Sequence, residues 1–362
     1  MKGKIFKILS MVLAFVMTSC CIHQWPGDRE PDVPKPEGDK LIKLHLHFDP
    51  DMFVWPHAYD KENRGANQMS PEVAVIPEHP GTTDIYDNTI AMGHVKHIVR
   101  IYPSGDAVNY ISEIETIQEI KAGYECEIEL ELPAGLYDIA VWSDPVNKGD
   151  SFFHDPSNFL SVSLNSNHCV NSDSQDAFRG MKTISVEDID IDQIFLVEMK
   201  RPYSKYELIA NDLRAFIEKE SIRYTSSERV IDKMPDITEY KVYYSYPSYM
   251  PYSYSVIDDR LVDSKAGQVF ESRITKINDE EATLGFHYIL INAVSNVGDS
   301  QGVAFKLWVV APDGKEVASS ATFTIPLRRD NHTVIRGEFL TEESQGGVVI
   351  DPDYDGDHNV EM

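Results

Sequence analysis

The sequence predicts an all-β protein built from two consecutive antiparallel β-sandwiches, with a short helix in the second. Three observations lead there. Short apolar runs recur with a period of two, as in Leu41–Phe48, where Ile42, Leu44, Leu46 and Phe48 alternate with Lys43, His45 and His47. Turn residues punctuate these runs, notably Pro133-Ala134-Gly135 and Pro312-Asp313-Gly314. A brief helical pattern follows Asn211 or Asp212 as cap, with Leu213, Phe216 and Ile217 on one side.

The chain begins with a leader rather than a strand. Lys2, Lys4 and Lys7 precede an apolar run from Ile8 to Met17 that ends in Thr18-Ser19-Cys20, the layout of a secretory signal over residues 1–19. A permanent spanning helix needs about 20 apolar residues, more than this run supplies. Small residues directly before a cysteine form a bacterial lipoprotein box, with Met17 standing where Leu is commonest. Lipidation is therefore expected at Cys20, and a plain secreted protein is the other reading. Residues 20–40 contain Pro26, Pro31, Pro34, Pro36, Gly27 and Gly38 among charges, and read as an extended tether.

The first sandwich is assigned to residues 41–200. After Leu41–Phe48 comes His94–Tyr102, carrying Val95, Ile98, Val99 and Ile101. Glu125–Leu132 alternates Cys126, Ile128, Leu130 and Leu132 with glutamates, and Pro133-Ala134-Gly135 links it to Leu136–Ser143 as a predicted hairpin. Gln193–Lys200 closes this half, and Arg201-Pro202 marks the boundary. The second sandwich, 201–362, opens with Tyr203–Ile209 and the helix. Strands are then expected at Glu239–Tyr246, Gln268–Ile277, Leu284–Ile291, Val303–Ala311, Glu316–Ile325 and Thr333–Leu340, with a hairpin turn at Pro312-Asp313-Gly314. Phe53–Pro80 lacks periodicity and reads as a long loop.

Composition narrows the function. With 362 residues, 42% of them apolar, the chain has material for two real cores. Its 59 acidic against 33 basic residues give a net charge of −26, which repels nucleic acid and anionic lipid. Attachment to a membrane then falls to acyl chains. Cys126 and Cys169 would be allowed to form a disulfide in an oxidising envelope, but their spacing does not decide it.

No catalytic residue, cofactor or metal site is assigned from the residues. Phosphate loops, nucleophile elbows and zinc-protease helices are missing from the sequence. His45 and His47 share a strand face without an identifiable third ligand. The run Asp351, Asp353, Asp355, Gly356, Asp357 and Asn359 approaches a calcium loop, yet Met362 stands where a bidentate Glu is required. Six tyrosines lie between Tyr243 and Tyr254. The portion Pro-Ser-Tyr-Met-Pro-Tyr is expected as an exposed loop, making Tyr249, Tyr252 and Tyr254 candidates for contact with sugars or another protein.

Several stretches together resemble the FimB/Mfa-type fimbrial anchor lipoproteins and related fimbrillin-like proteins of Gram-negative anaerobes. They are Val99-Arg100-Ile101-Tyr102, Leu132-Pro133-Ala134-Gly135-Leu136-Tyr137 with Val141-Trp142-Ser143-Asp144, and Asp176-Ala177-Phe178-Arg179-Gly180. Arg201-Pro202-Tyr203 with Asn211-Asp212, Ile325-Pro326-Leu327-Arg328-Arg329 with Leu340-Thr341, and Ile350-Asp351-Pro352-Asp353-Tyr354-Asp355-Gly356 complete the set. The resemblance implies two transthyretin-like domains, a lipid anchor in the outer membrane and no enzymatic activity. It further implies partnership with a major fimbrillin or other fimbrial subunits, attachment of fimbriae to the cell surface, and assembly by strand addition. A rival expectation is a surface glycan-binding lipoprotein of a nutrient-uptake system, with the tyrosine-rich loop as its platform. An envelope hydrolase comes third and lacks any nucleophile–base signature.

Overall fold

The computed structural model describes residues 39–48, 94–119, 126–147, 150–189, 191–225, 234–293 and 301–341, and the backbone of 358–361. The fold is all-β. The first half supplies β1 (Lys40–His47), β2 (His94–Pro103), β3 (Ser112–Glu119), β4 (Cys126–Leu132), β5 (Gly135–Asn147), β6 (Asp150–Ser151), β7 (His154–Asp155), β8 (Val162–Leu164), β9 (Phe178–Val186) and β10 (Gln193–Lys200). The second supplies β11 (Tyr203–Ala210), helix α1 (Leu213–Thr225), β12 (Lys241–Ser255), β13 (Arg260–Arg273) and β14 (Thr275–Lys276). β15 (Ala282–Leu290), β16 (Gln301–Val310), β17 (Glu316–Ser319), β18 (Phe323–Leu327), β19 (His332–Gly337) and β20 (His358–Glu361) follow.

Period-two patterning builds the first core. Strands β4, β1 and β10 form one leaf and β3, β2, β5 and β9 another, joined where Met199 and Lys200 pair with Gly180 and Arg179. Ile42, Leu44, Ile128 and Val197 from one leaf meet Val99, Ile101, Ile139 and Val141 from the other. Each such side chain, fully buried, contributes about 1.5–3 kcal/mol. The corner needs Gly180, because a Cβ there would lie 2.7 Å from both Met199 Sδ and Val197 Cγ1.

One sequence expectation is overturned here. β4 and β5 flank Pro133-Ala134-Gly135 but do not pair; β4 pairs with β1, and β5 with β2 and β9. The turn lifts the chain from one leaf to the other, closed by Tyr137 Oη donating to Pro133 O at 3.0 Å. Both runs are apolar on one face because they look into one core from opposite sides, a relation that periodicity does not distinguish from a hairpin.

β2 and β5 are covered on both faces. Their alternate residues Ile98, Tyr102, Ala140 and Trp142 point away from the first core and into the second. There β14-β15-β11-β19-β20 faces a sheet ordered β17-β16-β12-β8-β7, with β13 also on β12 and β18 also on β16. Tyr206 stacks on Tyr244 at 6.1 Å, and Phe305 sets its edge against both. β7 and β8 precede residue 200 yet complete this sheet, with Val162 and Ser163 opposite Tyr254 and Ser253. Phe159, Leu164 and Val170 are buried in the same core, so the halves interlock.

Other segments follow or extend the expected pattern. The Pro312-Asp313-Gly314 hairpin forms between β16 and β17, with Gly314 at φ +84°. Residues 316–325 divide into β17 and β18, both pairing with β16. α1 lays Phe216 against Tyr240 and buries Glu220, which accepts from Arg223 and from Tyr240 Oη at 2.9 Å. Cys126 is buried, Cys169 is half-buried, and no bond joins them. The leader, Cys20, the loop Phe53–Pro80 and the aspartates of the C-terminal run lie outside the described residues.

Candidate functional site

The motifs that carry the resemblance converge on the seam between the halves. From β9, Arg179 donates to Val256 O at 2.5 Å and lies 3.3 Å from Asp259. Arg329 reaches the same carboxylate at 2.8 Å and donates to Arg201 O at 2.6 Å, while Tyr254 Oη donates to Asp259. Arg201 in turn holds Asp176 at 2.6 Å and also bonds Asp330. Asp259 and Asp330 adopt positive φ, a conformation that short polar side chains tolerate. Burial pushes the Asp259 pKa up, but Arg179, Tyr254 and Arg329 outweigh it, leaving the carboxyl below its ordinary range. Burial raises Asp176 to about 6 despite Arg201. This is a clamp: its charged groups are paired with one another across the seam.

Asp212 forms a second clamp. Its Oδ2 accepts from Leu340 N at 2.9 Å, Thr341 N at 2.8 Å and Thr341 Oγ1 at 2.8 Å. Asn211-Asp212 and Leu340-Thr341 are thus two motifs of one contact.

Two histidine clusters have the composition of reactive sites and the burial of cores. His154 bonds Asp144 at 3.0 Å and Tyr203 Oη at 2.7 Å, and Ser151 donates to the same carboxyl at 2.8 Å. That order of carboxylate, imidazole and hydroxyl imitates a nucleophile relay, but His154, Asp144 and Tyr203 are all buried. In the second core His287 bonds His168 at 2.8 Å and Tyr246 Oη at 2.5 Å. Burial drives His287 down to about 3 and His168 well below its ordinary range, so both rings stay neutral. Among the described residues no three metal-ligating side chains gather.

The tyrosine-rich stretch departs from its expectation as an exposed loop. It is the continuation of β12, which runs to Ser255 and absorbs Pro247 and Pro251 through register shifts against β13. Those shifts send the three candidate tyrosines to different environments. Tyr249 is 73% exposed, Tyr252 is half-buried beneath Lys265 Nζ at 3.2 Å from its ring centre, and Tyr254 is fully buried on Asp259. Tyr254 therefore offers no face to a ligand, a correction to its place among the contact candidates.

What remains open is sheet edge. β13 is fourteen residues long, pairs with β12 through twelve of them and, among the described residues, has no strand on its other side. Its residues from Arg260 to Glu271 are exposed or half-buried, Val262 and Val269 included. An unpaired edge offers main-chain donors and acceptors to another chain. Sequence reading found the tyrosines of β12 but not this edge, because an edge is defined by a missing neighbour.

Comparison with known proteins gives distant likenesses. A protein of Bacteroides thetaiotaomicron proposed to bind polysaccharide is 14% identical, covering 79% of this chain and 80% of that one, with a TM-score of 0.41. The fimbrial anchor protein Mfa2 of Porphyromonas gingivalis is 11% identical over 77% of this chain and 81% of that one, with a TM-score of 0.37. The tip fimbrial protein Mfa3 of the same organism is 10% identical over 82% and 94%, with a TM-score of 0.36. No curated protein matches. A family profile described as a family of unknown function, DUF6562, matches residues 44–362, and the chain belongs to that family.

Proposed function

We infer that this protein is a lipid-anchored outer-membrane component of a surface fibre, a fimbrial subunit or anchor. Acyl chains on Cys20 hold it to the membrane, and the folded part engages a fimbrillin-type subunit by strand addition. The observation that carries this reading is unpaired sheet edge among the described residues, on β13 and on β10 from Gln193 to Glu198, in a chain whose polar clusters are paired internally. The leader and the order of the motifs agree with it. A net charge of −26 leaves lipid, not electrostatics, as the attachment.

Cys20→Ser is expected to move the protein from the membrane fraction to the soluble envelope fraction, and retention in the membrane would overturn the anchoring. Intact protein is expected to co-purify with fimbriae. Fimbriae that remain attached and of normal length after deletion of the gene would overturn the anchor role. A second reading, contact with glycans, is favoured by the exposure of Tyr249. It fails if Tyr249→Ala and Tyr252→Ala leave glycan binding unchanged.

A further inference from the structure

β9 and β10 meet at one corner and then diverge. They pair at Met199 with Gly180 and Lys200 with Arg179 only, so toward Val186 and Gln193 each becomes the margin of its own leaf. β10 pairs with β1 from Gln193 to Glu198, and among the described residues no strand lies on the opposite side of that stretch.

Edges differ in how they are defended. β4 points Glu127, Glu129 and Glu131 outward, β3 points Glu113 and Glu115, and β13 carries Asp263, Lys265 and register shifts. Charges and bulges of this kind discourage another strand from adding. β10 points Ile194 and Leu196 outward at 61% and 50% exposure, with Phe195 half-buried and Val197 buried between and beyond them. Ile194-Phe195-Leu196-Val197 contains no charge and no proline, the composition that associates edge to edge unless it is covered. Ile189 and Ile191, just before β10, are exposed as well.

We propose that the open side of β10, Gln193–Glu198, receives an extended strand from a partner subunit. This deepens the strand-addition reading and rests on it. The occupant is a run of about six apolar residues, apolar on both faces. Its outward side chains would lie beside Ile194 and Leu196, and its inward ones beside Phe195 and Val197. Exposed Glu187 and Glu198 stand near the two ends of the stretch, Asp192 being already 3.8 Å from Lys43, so basic residues flanking the run complete the fit. A second copy of this chain is the poorer occupant, since its net charge of −26 repels its own kind.

Hydrogen exchange on the full mature chain tests this, with a ten-residue peptide of six alternating valines and isoleucines between paired lysines as probe. The peptide is expected to slow exchange within 193–198 at least tenfold and to leave 260–272 unchanged. Leu196→Lys, an outward position, is expected to weaken peptide binding at least tenfold with an unaltered melting temperature, and Ile194→Lys to do the same. Val262→Lys on β13 is expected to change nothing. Protection of 260–272 in place of 193–198 would overturn this assignment while leaving strand addition intact; protection of neither would overturn both. Slow exchange, before peptide is added, of the amides in 193–198 that are not bonded to β1 would mean the chain covers the edge itself, which also overturns the proposal. Self-association in sedimentation that Leu196→Lys abolishes would hand the site to a second copy, and would overturn it as well.

Discussion

Gly285 sits where the first half of the chain is stitched into the second, and replacing it with alanine should loosen that stitch by a predictable amount. Its φ is +125°, and a Cβ would fall 2.4 Å from Asn171 Oδ1 and 2.5 Å from Ser272 Oγ. Asn171 behaves there like one residue of an extra strand. Its backbone N–H donates to Phe286 O at 2.9 Å, its Oδ1 accepts from Phe286 N at 2.8 Å, and its Nδ2 donates to Ser272 Oγ at 2.8 Å. Backbone strain in Gly285→Ala is about 1–3 kcal/mol. Displacing the Asn171 side chain forfeits two hydrogen bonds worth about 0.5–1.5 kcal/mol each. The expected loss is therefore about 3 kcal/mol, read from urea unfolding, with a fall in melting temperature of about 6 °C or more. Asn171→Gly removes the group that the new methyl would strike. Adding Gly285→Ala to that background should cost the strain and the remaining contact with Ser272 Oγ but no longer the Asn171 hydrogen bonds, giving a coupling of about 1–2 kcal/mol in the double-mutant cycle. Additivity within about 0.5 kcal/mol, or a single-mutant cost below about 1 kcal/mol, would refute the clash and the stitch with it.

Acid should destabilise the protein before its carboxylates dominate. Burial lowers His97 to about 4 and His287 to about 3, while an unfolded histidine titrates near 6.5, so the unfolded chain takes up protons first as pH falls below about 6.5. At pH 4.5 each ring costs about 2–3 kcal/mol, and Asp176, raised to about 6 and so protonated first in the folded state, offsets about 2 kcal/mol. The urea midpoint should drop between pH 7 and 4.5, and an equal or higher midpoint would refute the neutral assignments. Asp212→Ala leaves three donors of Leu340 and Thr341 without their acceptor and should cost about 2–4 kcal/mol, with faster amide exchange at those two residues. Tyr254→Phe should cost about 1–2 kcal/mol and Tyr249→Ala under about 0.5 kcal/mol; the reverse order by thermal melting would refute their burial.

Strands that bury one face are plain in the sequence. Gln193–Lys200 is expected and found residue for residue, and Leu41–Phe48 and Glu125–Leu132 differ from β1 and β4 by a residue at their ends. β3 and β9 escape such a reading for different reasons. In Ser112–Glu119 the two isoleucines, Ile114 and Ile117, fall on opposite faces among glutamates on an edge; Phe178–Val186 carries Arg179, Gly180 and Lys182, whose strand partners are remote in sequence. Pairing is harder to read than existence. Whether Pro133-Ala134-Gly135 makes a hairpin or an arch depends on which strand fills the neighbouring place, and β1 fills it from far upstream. The seam clamp leaves a faint trace, because Asp176, Arg179, Arg201 and Arg329 all lie in the motifs that carry the resemblance, while Asp259, acceptor to both Arg179 and Arg329, has no local signal. Tyr254 looks like its neighbour Tyr249 in sequence, and only the register shifts of β12 turn it inward.

The place of β1 has a mechanical meaning. It is the first described strand, and it is zipped to β4 on one side from Lys40 to Leu46 and to β10 on the other from Ile42 to His47. A pull along the axis of β1 acts parallel to both ladders, across hydrogen bonds that lie largely sideways to it. They must yield together in shear, whereas an edge strand peeled from its end would surrender them one by one. Ile42 and Leu44, fully buried, add friction against sliding. Grip against a steady tug along this strand is thus concentrated in its eight residues.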